Sequence, residues 1–174
     1  MLGVSSAFFA LGCGGGEYGF ARTYHPLGAE AEHFEDAQQP TYQDLIREPN
    51  KYKDIEIGWF GVVNEVHADK SGKMRITLSL RAHQARHLCS EDSSSSCRVT
   101  VSEASLATFT ADATLTSAEI SGKDRVWVGS LLKVYGKYTG EYSEETGPVI
   151  DVVYHRHWPR GTYVTTAARG SMRR

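Results

Sequence analysis

The cleanest alternation in the chain runs from Lys73 to Ala82. Met74, Ile76, Leu78 and Leu80 fall on one side, and Lys73, Arg75, Thr77, Ser79 and Arg81 on the other. A period of two with a single apolar side predicts a strand that buries one face. Upstream, I-E-I-G-W-F-G-V-V-N-E-V places Ile55, Ile57 and Trp59 on one face, and a bulge at Gly58–Gly61 is expected to switch the facing. Asp69-Lys-Ser-Gly72 is turn chemistry between these two strands. Further strands are predicted at Arg98–Val101, at Val126–Tyr138 with Gly129 inside it, and at Pro148–His157 after the polar loop Thr139–Gly147. Between the third and fourth, Glu103–Glu119 is rich in Ala, Thr and Ser and poor in large apolar residues, which suits either a helix or a long connection. Ahead of the strands, T-Y-Q-D opens a short helix with Thr41 as N-cap; Leu45 and Ile46 form its apolar side and Pro49 ends it.

Five strands, the first long and bent, with irregular structure between the third and fourth, match a Greek-key barrel of the oligonucleotide-binding (OB) type. Glycines within long strands suit the tight coiling of a small barrel. An open sandwich is the competing architecture. The expected fold is therefore mainly β: one small five-stranded OB-like barrel over residues 41–161, a short N-terminal helix, and a flexible tether over 13–40. That tether is Gly-, Ala-, Glu- and Gln-rich, with one helical turn expected near Ala29–Phe34. Residues 162–174 read as an unpaired basic tail.

Composition narrows the class. A hydrophobic fraction of 40% and nine tyrosines exclude global disorder. A net charge of −2 supplies no bulk field for nucleic acid or anionic lipid. No apolar run reaches the roughly 18 residues that a membrane-spanning helix needs. Membrane attachment, if any, has to be covalent.

The residues Val4–Cys13, V-S-S-A-F-F-A-L-G-C, resemble the end of a bacterial lipoprotein signal. Leu11 and the small Gly12 precede the cut, and Cys13 receives diacylglycerol. Residues 1–12 are then a signal remnant; they lack Lys and Arg, which an upstream start would supply. With Cys13 lipidated, Cys89 and Cys97 remain, separated by a Ser-rich acidic loop between strand-like flanks. They are expected to form a disulfide, worth about 2.5 kcal/mol for so short a ring. Its formation implies an oxidising compartment.

The stretch P-T-Y-Q-D-L-I-R-E-P-N-K-Y-K-D-I-E-I-G-W-F-G-V-V and the closing P-V-I-D-V-V-Y-H-R-H-W-P-R-G resemble the Slp-type outer-membrane lipoproteins. The similarity covers roughly residues 40 to 161, and the Cys89–Cys97 region departs from the family pattern. The resemblance implies an OB-like barrel anchored in the outer membrane and facing the periplasm or the cell surface. It implies no defined chemistry.

No H-E-x-x-H, G-x-S-x-G or phosphate-loop pattern is present, so catalysis is not expected. His155 and His157 project from one side of a strand and are the candidates for a metal; His83 and His87 would suit one only on a helix. Trp59, Trp127, Tyr135 and Tyr138, with Lys133 and Lys137 nearby, are the candidates for a ligand face that stacks bases or sugars. The acidic balance argues against nucleic acid, and most of these aromatics read better as core or barrel-end packing. The expected role is a non-catalytic docking or structural module without cofactor, held by its lipid in the outer membrane and contacting an envelope complex or peptidoglycan.

Overall fold

The computed structural model describes residues 21–68, 73–90 and 95–171. Cys13 and the proposed signal remnant lie outside them. In chain order the elements are β1 (Ala21–Thr23), α1 (Gly28–Asp36), α2 (Tyr42–Arg47), α3 (Pro49–Tyr52), β2 (Glu56–Ala68), β3 (Met74–Arg81), β4 (Arg86–Leu88), β5 (Thr100–Val101), β6 (Ala107–Ala113), α4 (Ser117–Ser121), β7 (Leu131–Ser143), β8 (Gly147–Trp158) and β9 (Val164–Thr165). A turn of 3-10 helix over Thr166–Gly170 follows.

A five-stranded mixed sheet carries the fold, with strands paired in the cyclic order β2-β3-β6-β8-β7 and β7 returning to β2. All pairings are antiparallel except β6 with β8, which run parallel over Thr110–Asp112 and Val149–Asp151. The inner face holds the main core: Ile57, Trp59 and Val63 from β2, Ile76, Leu78 and Leu80 from β3, Phe109 from β6, Leu132, Val134 and Tyr138 from β7, and Ile150 from β8. Alternation places them there. At Gly136, where the β7–β8 register shifts, a Cβ would collide with the Asp151 carbonyl and the Ile150 side chain, so the close strand approach requires glycine.

Several expectations need correction. The third strand of the sheet is β6, inside the Ala/Thr/Ser segment, whereas Thr100–Val101 lies outside the sheet and pairs parallel with β9. Its inner positions Ala107, Ala111 and Ala113 are small, so the segment carries no strong apolar signal. The register irregularity in β2 falls between Val63 and Glu65 rather than at Gly58–Gly61. No switch of facing is needed, because Ile57 through Gly61 are all buried, on both sides of the strand. The strand expected from Val126 starts at Leu131, after a turn in which Gly129 takes φ +89°.

The tether reading also fails from residue 21 onward. Tyr24 and Glu30 are buried, and Gln38 hydrogen-bonds along the start of β2, donating to the Glu56 carbonyl and accepting from the Gly58 N–H at 2.9 Å each. The tail is likewise engaged, through β9 and its pairing with β5. Both segments cover the outer face of the sheet. The short helix is as expected: Thr41 caps α2 and forms a reciprocal box with Asp44. Pro49 occupies the first turn of α3, where its missing N–H costs nothing.

A cationic pocket over a buried polar layer

Register determines what meets on the outer face. Phe60 of β2 pairs with Lys133 of β7, which pairs with Arg156 of β8; Val62, Leu131 and Trp158 form the next row, and Gly58, Tyr135 and Tyr154 the one before. Residues directly opposite share a face. Alternation that sends Val134 and Leu132 inward therefore sends Lys133 and Tyr135 outward. They are nonetheless buried, because β1, α1 and the 98–101 segment lie over them, with Tyr24, Val99 and Val101 completing a second core.

At the centre sits Glu30, fully buried at 0% exposure. Its carboxylate accepts from Tyr24 Oη, from Tyr135 Oη at 2.7 Å, from the Leu27 N–H at 3.1 Å and from Arg156 Nη1 at 3.0 Å. The Leu27 bond caps the first turn of α1, where a negative charge is also favoured by the helix dipole. Burial alone would raise this carboxyl, but the hydrogen bonds from Tyr24, Tyr135, Leu27 and Arg156 outweigh it and hold the group below the usual carboxylate range. The same burial and bonding push both tyrosine hydroxyls well up.

Lys133 is 2% exposed. Its Nζ lies 4.5 Å from the ring centre of Phe34, 4.8 Å from Phe60, 4.9 Å from Tyr135 and 5.1 Å from Tyr24. Four ring faces thus replace water around the ammonium. Burial still lowers it to about 8, with Glu30 pulling the other way.

Next to this layer opens a pocket of about 510 Å³ between β1, β4, the residues after Cys97 and the end of β8. Arg22, Arg98 and Arg156 line it together with His25, His87, Trp158 and Val99, and no Asp or Glu belongs to its described lining. Arg156 uses one nitrogen, Nη1, for Tyr24 Oη, the His25 carbonyl and Glu30, and its guanidinium lies 4.6 Å over the Trp158 ring. Arg98 donates to the Cys97 carbonyl at 3.1 Å and to the Ser95 carbonyl, while its own N–H bonds the Leu88 carbonyl at 3.0 Å. Cys89 and Cys97 stand at disulfide distance, with their Cα atoms 4.0 Å apart. The bridge joins the chain just after β4 to the residue before Arg98 and thereby holds Arg98 beside His87. Nε2 of His87 is buried without a partner among the described residues. Burial, with the charges of Arg156 and His25, lowers this imidazole and keeps it neutral at pH 7. Such a pocket attracts anions.

The four candidate ligand-face aromatics do not share one face, and three of them, Trp59, Tyr135 and Tyr138, pack in the interior. Trp59 and Tyr138 are in the inner core, and Trp59 donates to the Pro40 carbonyl at 2.9 Å. Tyr135 serves Glu30. Trp127 alone of the four is exposed, at 47%, with the Arg125 guanidinium 4.2 Å over its ring. His155 and His157 pair with Val134 and Leu132 and so lie on the inner side, near α4. His155 Nε2 is 2.7 Å from Glu119, and His157 Nε2 is 3.0 Å from Ser130. Among the described residues no three His, Cys, Asp or Glu side chains are placed to share a metal.

Arg22, Tyr24 and Glu30 fall in the stretch read as tether and so went unrecognised, and Lys133 was noted only for lying near the candidate aromatics. Only Arg98 carried a signal, its position directly after Cys97. No family model, no curated protein and no solved structure matches the chain, so the site is read from its own chemistry.

Proposed function

We propose that this chain is a non-catalytic binding module of the cell envelope: an OB-like barrel of the Slp type, carried on a lipid at Cys13, that docks through the cationic pocket on its outer face. The pocket carries the reading, since Arg22, Arg98 and Arg156 all line it with no described carboxylate beside them in the lining. The cyclic strand order, the parallel β6–β8 pair that closes it and the short helix between β6 and β7 support the barrel assignment. The Cys89–Cys97 pair supports export and leaves Cys13 as the remaining thiol of three. Base stacking on nucleic acid has less support, because Trp59, Tyr135 and Tyr138 are enclosed.

The test is the intact mass of protein extracted from membranes of its native host. Diacylglycerol on Cys13 and two hydrogens fewer for the bridge are expected. A water-soluble product whose three thiols all alkylate without prior reduction overturns the envelope assignment.

A further inference from the structure

The pocket has more donors than a carboxylate can use. Its guanidinium groups come from three separate segments: Arg22 from β1, Arg98 from the disulfide-bonded loop and Arg156 from β8. Each is a planar fork suited to two oxygens of an oxyanion. A carboxylate presents two oxygens, a phosphate monoester three, so only the latter engages all three forks.

Charge points the same way. Among the described residues, Glu30 is the single anion of the buried layer and neutralises one of its two cations, Arg156 or Lys133, leaving the other in excess. Arg22 forms no ion pair among the described residues, and the described partners of Arg98 are backbone carbonyls. The positive potential is thus local, in a chain whose net charge is −2. Arg156 is also pre-oriented, with Nη1 bonded to three acceptors and its plane lying over Trp158, while Nε and Nη2 take no partner among the described residues. A donor already fixed in place loses little freedom on binding. Finally, about 510 Å³ exceeds what a bare oxyanion fills and falls in the range of small-molecule sites, and Trp158 with Val99 gives the hollow an apolar wall.

We infer that the pocket binds a phosphate monoester, its oxygens on Arg22, Arg98 and Arg156 and its organic body against Trp158 and Val99. This rests on the binding reading above and names its ligand. The monoester has two possible sources: a soluble small molecule or the headgroup of phosphatidic acid.

The experiment uses the oxidised full chain carrying Cys13→Ser, so that no lipid anchor contributes, in phosphate-free buffer at low salt. Calorimetry and tryptophan fluorescence follow titration with glycerol 3-phosphate and with acetate, and sedimentation follows vesicles of phosphatidylcholine with or without phosphatidic acid, whose headgroup is a phosphate monoester. Glycerol 3-phosphate is expected to bind at least tenfold more tightly than acetate. Arg22→Ala and Arg98→Ala, which remove groups outside both cores, are each expected to weaken it about tenfold at unchanged melting temperature. Co-sedimentation with phosphatidic acid vesicles, reversed by glycerol 3-phosphate, assigns the headgroup; monoester binding without co-sedimentation assigns a soluble ester. Equal affinity for acetate, or indifference to both arginine substitutions, overturns the phosphate site and leaves the binding reading standing. Binding of neither anion, with no co-sedimentation, overturns both.

Discussion

The same strands β2, β7 and β8 build two buried faces of opposite character. On the inner side, Ile57, Trp59, Leu132, Val134 and Ile150 pack in an apolar core. One residue away along the chain, on the outer side, Lys133 and Arg156 meet Glu30, Tyr24 and Tyr135 in a layer that is almost as dry. The inner core is stabilised by area removed from water, a term that accumulates residue by residue. The outer layer depends on complete satisfaction of its polar groups, since a buried charge that loses its partner costs several kcal/mol. One face therefore tolerates graded change and the other does not. That contrast also bears on the location of the pocket: among the described residues, the fully buried charged groups, Glu30 and Lys133, lie on the outer side.

The sharpest way to break the contrast is Glu30→Ala. It removes the one anion facing Arg156 and Lys133 and strips two tyrosine hydroxyls of their acceptor. A loss of about 3–5 kcal/mol in urea unfolding is expected. A loss below about 1 kcal/mol would mean that the outer layer is dispensable. Next in size is Cys89→Ser with Cys97→Ser, which should cost about 2.5 kcal/mol on the chain-entropy estimate for so short a ring. Hydrogen exchange should locate that loss in β4 and in residues 98–101, with the inner strands still protected. Uniform loss of protection would show that the two faces form one cooperative unit.

The smallest effect sharpens the comparison most. Lys133→Met keeps the Glu30–Arg156 pair and fills the ring cage with an apolar chain of similar length, so stability at pH 7 should stay within about 1 kcal/mol of the parent or rise. Its pH profile separates the cases. Burial holds the Lys133 ammonium at about 8, below its ordinary 10.5, so between these values the folded chain binds fewer protons than the unfolded one. Stability contributed by this group is then least below pH 8 and increases as pH climbs from 8 toward 10. Above about 10, the raised Tyr24 and Tyr135 work in the opposite direction, since the unfolded chain releases their protons first. Lys133→Met should abolish the gain between pH 8 and 10. An unchanged profile would place the ammonium in water.

Legibility followed the same division. Strand β3 was readable because large apolar residues alternate along it, β8 because a β-branched and aromatic run follows a polar loop, and the Thr41 cap and the cysteine pair because each is local chemistry. Strand β6 was not, since alanines hold most of its inner positions and carry little hydrophobic signal. Tyr24 and Glu30 looked like linker because their partners, Tyr135 and Arg156, stand more than a hundred residues away.

Sequence by itself determined a β-rich chain, the sidedness of its best strands and the partner of each cysteine in the Ser-rich loop, because period and short spacing are properties of neighbouring residues. Only the tertiary structure decided that Lys133 is enclosed by rings, that Glu30 balances buried cations and that three distant arginines line one hollow. Those outcomes depend on strand register and on which segment covers the outer face, and both are set by contacts between parts of the chain that no local pattern connects.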